Sequence, residues 1–90
     1  MRQAFLSAGR KEGKLMLPVI DPARTGMNIL SLRRRAGLSV RDLQRIFGFS
    51  SPQAIYKWQK GDALPTVDNL VILADALRVR IDDILVCRPC

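Results

Sequence analysis

The chain has no histidine, and that absence removes the commonest general base and the commonest zinc ligand together. Cysteine is nearly as scarce: Cys87 and Cys90, spaced C-x-x-C, are the two in 90 residues. A redox pair of that spacing belongs at the start of a helix after a strand, and a zinc site needs two further ligands. The surrounding sequence offers neither, so the pair is expected to be free thiols in a frayed tail. No run of about 18 apolar residues occurs, which argues against a membrane-spanning helix. The N-terminus shows no apolar segment followed by a small-residue cleavage site. A cleft-type pair of carboxylates and a glycine-rich phosphate loop are missing as well. The expectation is a cytoplasmic chain with no membrane partner that is not an enzyme and holds no cofactor and no metal.

Acidic residues are few. Eight Asp and Glu stand against fifteen Lys and Arg, a net charge of +7. An excess of that size favours a polyanionic partner, either nucleic acid or an anionic membrane surface. The charge is uneven. Arg2, Arg10, Lys11, Lys14, Arg24 and Arg33 to Arg35 crowd the first forty residues, whereas Asp62, Asp68, Asp75, Asp82 and Asp83 gather in the last thirty. One end of the fold should be positive and the other near neutral or acidic.

What is present is an apolar share of 48%, enough for one small core. From about residue 27 onward the apolar positions recur three and four apart, the spacing of helices. Residues 1–24 read instead as a basic, largely flexible or extended arm. Within it, Leu15 to Ile20 is an apolar run interrupted by Pro18, and Met16 offers an alternative start.

Thr25 is expected to cap a first helix burying Ile29, Leu32 and Ala36 and stopped by a left-handed Gly37. Arg33, Arg34 and Arg35 fill its last turn, either as a solvated helix end or as phosphate contacts. Ser39 caps a second helix, with Asp42 in the capping-box position and a stripe of Val40, Leu43, Ile46 and Phe47. Gly48 breaks it. Ser51 as cap and Pro52 as first helical residue restart the chain in a third helix. That helix turns Ile55 and Trp58 inward and leaves Gln53, Tyr56, Lys57 and Lys60 outside. After Gly61, Thr66 caps a fourth helix burying Val67, Leu70, Leu73, Ala74 and Leu77, with Val71 and Ile72 as surplus apolar positions. A fifth, Ile81 to Val86, buries Ile81, Ile84 and Leu85. The count is five helices and no strand, an all-α compact bundle.

This order of elements resembles the phage Cro and repressor family of helix-turn-helix domains, the xenobiotic-response-element type. The resemblance rests on L-R-R-R-A-G-L-S at 32–39, D-L at 42–43, F-G-F-S at 47–50 and I-Y-K-W-Q-K-G at 55–61. It continues through L-P-T-V-D-N-L at 64–70, A-D-A-L at 74–77 and I-D-D-I-L at 81–85. It implies a lambda-repressor-like five-helix domain over 25–86, with an N-terminal arm at 1–24 and a tail at 87–90. It also implies that the second and third helices bind double-stranded DNA.

On that resemblance the helix from Pro52 to Lys60 enters the major groove. Gln53 and Tyr56, with Pro52 beside them, are the candidate base contacts. Ser51, Lys57, Lys60, Arg41 and Arg45 are the candidate phosphate contacts. Four positions depart from the family pattern. The turn after Gly48 is one residue longer, Val40 replaces a Gln that grips phosphate, Gln44 replaces an Ala at a close crossing, and Arg78 replaces a left-handed Gly. A shifted crossing of the second and third helices is expected. The implied function is a repressor reading an inverted repeat as a homodimer. The rival is an antitoxin-like module that neutralises a small protein partner and autoregulates its own gene.

Overall fold

The first helix, α1 (Pro22–Arg35), begins at Pro22 because Asp21 caps it. The computed structural model describes residues 17–89, so the expected mobility of residues 1–14 lies outside it. The Asp21 carboxylate accepts the Arg24 amide at 3.0 Å, and Pro22 occupies a position where a missing N–H costs nothing. Thr25 is therefore not the cap. It is fully buried within α1, where its Oγ1 accepts the Val86 amide at 2.9 Å and donates to the Val86 carbonyl at 3.3 Å. A residue 61 positions away claims the hydroxyl that the local pattern assigned to a cap.

The same long-range contact produces the strands that the helical periodicity did not reveal. β1 (Pro18–Ile20) pairs antiparallel with β2 (Cys87–Pro89), placing Val19 opposite Arg88. The proline-interrupted run is extended, as expected, but it is held against the C-terminal segment. The frayed tail expected at 87–90 is a strand over its described part, with Cys87 a free, half-buried thiol. The Asp21 amide donates to the Val86 carbonyl at 2.8 Å, and Arg88 meets the Asp21 carboxylate at 3.2 Å. Residues on both sides of the expected 24/25 and 86/87 boundaries are thus tied to the helical part.

Gly37, at φ +75°, stops α1. In α2 (Val40–Phe47) Ser39 and Asp42 form the expected capping box, with reciprocal bonds of 2.8 and 3.0 Å. α3 spans Gln53–Lys60, and α4 (Val67–Leu77) is capped by Thr66, whose Oγ1 accepts the Asn69 amide at 3.2 Å. α5 (Ile81–Ile84) is shorter than expected because Leu85 is already extended and leads into β2. Asn28 of α1 holds this short helix by donating to the carbonyls of Asp83 and Ile84 at 2.7 and 2.9 Å.

All five helices feed one core, which contains Ile29, Leu43, Ile55, Leu73 and Ile84 as fully buried side chains. Each contributes roughly 1.5–3 kcal/mol by leaving water. Three expected core residues do not join it, two of them large: Ile46 is 49% exposed and Val67 is 75% exposed. Both lie on helices whose other apolar positions, Leu43 and Leu70, are buried, and both are left in solvent. Ala36 is likewise exposed, because it caps α1 beyond the last buried turn. Ile81 and Leu85 are half-buried against the core edge.

α1 and α3 cross most closely at Gly26. A Cβ added there would lie 2.2 Å from the Trp58 carbonyl oxygen and 2.6 Å from that of Gln59. The absence of a side chain lets the backbone of α3 seat directly on α1.

Candidate nucleic-acid interface

α2 and α3 are joined by Gly48 to Pro52, a turn whose first step is the left-handed Gly48 at φ +71°. Phe49 turns back from it onto the core. The Phe49 ring stacks on Phe47 with centroids 4.9 Å apart, and both rings meet the Trp58 indole edge-on at 5.4 and 6.1 Å. Aromatic pairs of this kind add about 0.5–1.5 kcal/mol beyond burial. Gln44 closes the turn from the other side. Its Nε2 donates to the Phe49 carbonyl at 3.2 Å, while the Phe49 amide donates to the Gln44 carbonyl at 3.0 Å. The departure from a small residue at position 44 is thus matched by a job in the lengthened turn.

The start of α3 differs from the sequence reading. Pro52 lies just before the helix, at φ −85° and ψ 7°, and the first helical bond runs from the Tyr56 amide to the Pro52 carbonyl at 3.1 Å. Ser51 does not cap it in the ordinary sense; the Gln53 amide reaches Ser51 Oγ only at 3.5 Å. The helix thus begins at Gln53, one residue downstream of the expected start.

From Gln53 onward the geometry follows the helical period. Ile55 and Trp58 are buried, and Gln53, Tyr56, Lys57 and Lys60 are exposed at i, i+3, i+4 and i+7, one continuous stripe. Tyr56 is 47% exposed, so its ring is available on that surface. Pro52 is half-buried at the head of the stripe, and Ser51 is exposed in the turn. Arg41 and Arg45 are exposed on α2, one helical turn apart. Among the described residues the one ion pair in direct contact is Arg88 with Asp21, so none of these cations is held in a salt bridge.

Asp42, at the head of α2, stays ionised beside this basic surface. The Ser39 amide, then the Ser39 hydroxyl, holds its carboxyl below the usual range, and Arg45 adds to this. The negative charge complements the helix N-terminus.

Sequence reading did not find the support behind α3. Arg33, from the basic triplet, is half-buried; its Nε donates to Gln59 Oε1 at 3.0 Å and its Nη1 to the Leu38 carbonyl at 2.9 Å. Arg34 and Arg35 are exposed. A signal was available: Arg33 lies four residues after the buried Ile29, on the flank of α1 that faces inward.

A helix-turn-helix family model matches residues 29–84, more than half of the chain. The chain belongs to the Cro/C1-type helix-turn-helix family. It is a DNA-binding protein of the transcriptional-regulator class, a class generally without catalytic activity. The crystal structure of the DNA-binding domain of BldD is similar in fold to this helix-turn-helix chain. The two share 24% identity and a TM-score of 0.62 over 72% of this chain and 93% of that one. No protein of curated function matches the chain in sequence. Among the described residues no helix is long and apolar enough to cross a membrane.

Proposed function

We propose that this helix-turn-helix protein is a repressor that reads an inverted repeat as a homodimer, with α3 in the major groove. The observation that carries the reading is the exposed stripe Gln53, Tyr56, Lys57 and Lys60, opposite the buried Ile55 and Trp58. A helix about 10–12 Å across fits a groove about 12 Å wide. Gln53 pairs with an adenine edge through N6 and N7, and Tyr56 lays its ring on a thymine methyl or uses its hydroxyl, with Pro52 alongside. Ser51, Lys57, Lys60, Arg41 and Arg45 contact phosphates and set the register without specifying sequence. Two copies place their recognition helices about 34 Å apart, one turn of DNA. The exposed Val71 and Ile72 on α4 are a candidate face for pairing. The protein works where the DNA is, in the cytoplasm.

Selection of bound duplexes from a random library, followed by footprinting, tests this. Enrichment of a palindrome with half-sites one turn apart supports it. No enriched motif, or a single half-site bound by a monomer, contradicts it.

A second reading draws on the same apolar positions with Val67, which form an exposed patch on α4. An antitoxin-like module would use that patch to hold a small protein partner while repressing its own gene. Co-purification from the native host separates the two: a stoichiometric partner retained after nuclease treatment favours the module.

A further inference from the structure

A cleft of about 650 Å³ opens between the C-terminal ends of α1 and α4, far along the chain from the α3 stripe. Leu32 and Leu77, both buried, form its floor, and Leu38, Ala76 and Val79 wall it. Arg35 and Arg78, both exposed, also line it, and among the described residues no acidic one does. We propose that this cleft binds a small amphipathic carboxylate, the alkyl chain on the leucine floor and the carboxylate at the two guanidiniums.

Arg78 carries the most weight. Its φ of +58° makes it the one non-glycine left-handed residue among those described. The position closes α4, with the Arg78 amide donating to the Asp75 carbonyl at 3.2 Å and the Val79 amide to that of Ala74 at 3.0 Å. Glycine closes such a cap without the crowding that a Cβ suffers in this conformation. An arginine here therefore opposes local stability, and the residue lines the cleft. Strain of this kind points to a ligand when the side chain it presents has a receptor to complete. Arg35 and Arg78 each stand at a helix C-terminus, where a cation is favoured; what that leaves unexplained is a left-handed arginine in place of a glycine beside an apolar floor.

The occupant follows from chemistry and size. The volume falls within the roughly 300–1,000 Å³ of small-molecule sites. Two guanidiniums match a carboxylate, which each can grip in bidentate fashion. An inorganic anion would leave the leucine floor uncovered, and an alkyl cation would meet two like charges. Leu38, whose carbonyl Arg33 holds, walls the same cleft, so an occupant touches the segment that steadies α3.

The test titrates the full chain with sodium octanoate and follows amide chemical shifts together with calorimetry. Saturable binding is expected, with shifts centred on Leu38, Ala76 and Val79. Acetate, too short for the floor, and octylammonium, of the wrong charge, should each bind at least about tenfold more weakly. Arg78→Gly should melt at or above the wild-type temperature yet bind octanoate at least about tenfold more weakly, and Arg35→Ala supplies an independent variant. The proposal is overturned if octylammonium binds as well as octanoate, or if folded Arg78→Gly keeps full affinity. It is equally overturned if the shifts map to Val67, Val71 and Ile72, or if no saturation is reached. Tighter binding of a short peptide ending in Asp-Leu would replace the small molecule with a protein partner.

Discussion

Arg33 Nε donates to Gln59 Oε1 across 3.0 Å, joining the last turn of α1 to the last turn of α3. Arg33 also holds the Leu38 carbonyl, so one guanidinium braces both the α1–α2 connection and α3. Gln59→Leu would leave a half-buried donor without its acceptor, a loss of about 1–3 kcal/mol. The urea midpoint should fall accordingly. Gln59→Glu keeps the acceptor and adds charge, so its midpoint should match or exceed the wild type. Equal midpoints for the leucine and glutamate variants would remove this brace from the account.

Two glycines should respond very differently to alanine. At Gly26 the new Cβ would lie 2.2 Å from the backbone oxygen of Trp58, an atom that no rotamer change can move. α1 and α3 must separate, and the cost should be about 3 kcal/mol or more. At Gly48 nothing lies within 4 Å of an added Cβ, so only the left-handed backbone is penalised. That costs roughly 1–2 kcal/mol. Thermal denaturation of the two variants should rank Gly26→Ala well below Gly48→Ala.

On the DNA side, Gln53→Ala and Lys57→Ala should fail in different ways. Loss of the Gln53 amide should relax preference at one base position by about 1–3 kcal/mol and leave random DNA bound as before. Lys57→Ala should weaken all sequences alike and reduce the slope of log K against log salt by about 1. Filter binding to specific and random duplexes at several salt concentrations reads both. A uniform loss for Gln53→Ala would place that side chain on the backbone instead.

Acid should erode stability through two capping carboxylates. The Arg24 amide, aided by Arg88, holds the Asp21 carboxyl below its ordinary value, and the Ser39 amide and hydroxyl do the same for Asp42. A carboxyl whose folded value is depressed contributes stability above the unfolded value, near 3.9. That contribution is lost as pH falls through the lower folded value. The melting temperature should therefore be flat with respect to these groups at neutral pH and decline below about pH 4. Asp21→Asn with Asp42→Asn should flatten that decline while lowering the neutral plateau. An acid limb unchanged by the double substitution would assign it to other groups.

Much of this molecule is legible one residue at a time. The Ser39–Asp42 box, the Thr66 cap and the left-handed stops at Gly37, Gly48 and Gly61 all close within about one turn, so the local sequence contains both partners. The inward Leu43, Ile55 and Trp58, and the exposed stripe on α3, follow from helical spacing for the same reason. Tertiary structure decided wherever a second partner lay far away. Asp21 and Thr25 are both plausible caps by type, and Val86 settled the choice by taking the Thr25 hydroxyl. The β1–β2 pair joins the two ends of the described chain, and no period within either segment announces it. Among three consecutive arginines, spacing from Ile29 marks Arg33 as the inward one, but only the crossing of α1 and α3 supplies Gln59 as its partner. Periodicity tells which face of a helix is apolar; where the neighbouring helix ends determines whether Ile46 and Val67 are covered, and that depends on every packed element at once.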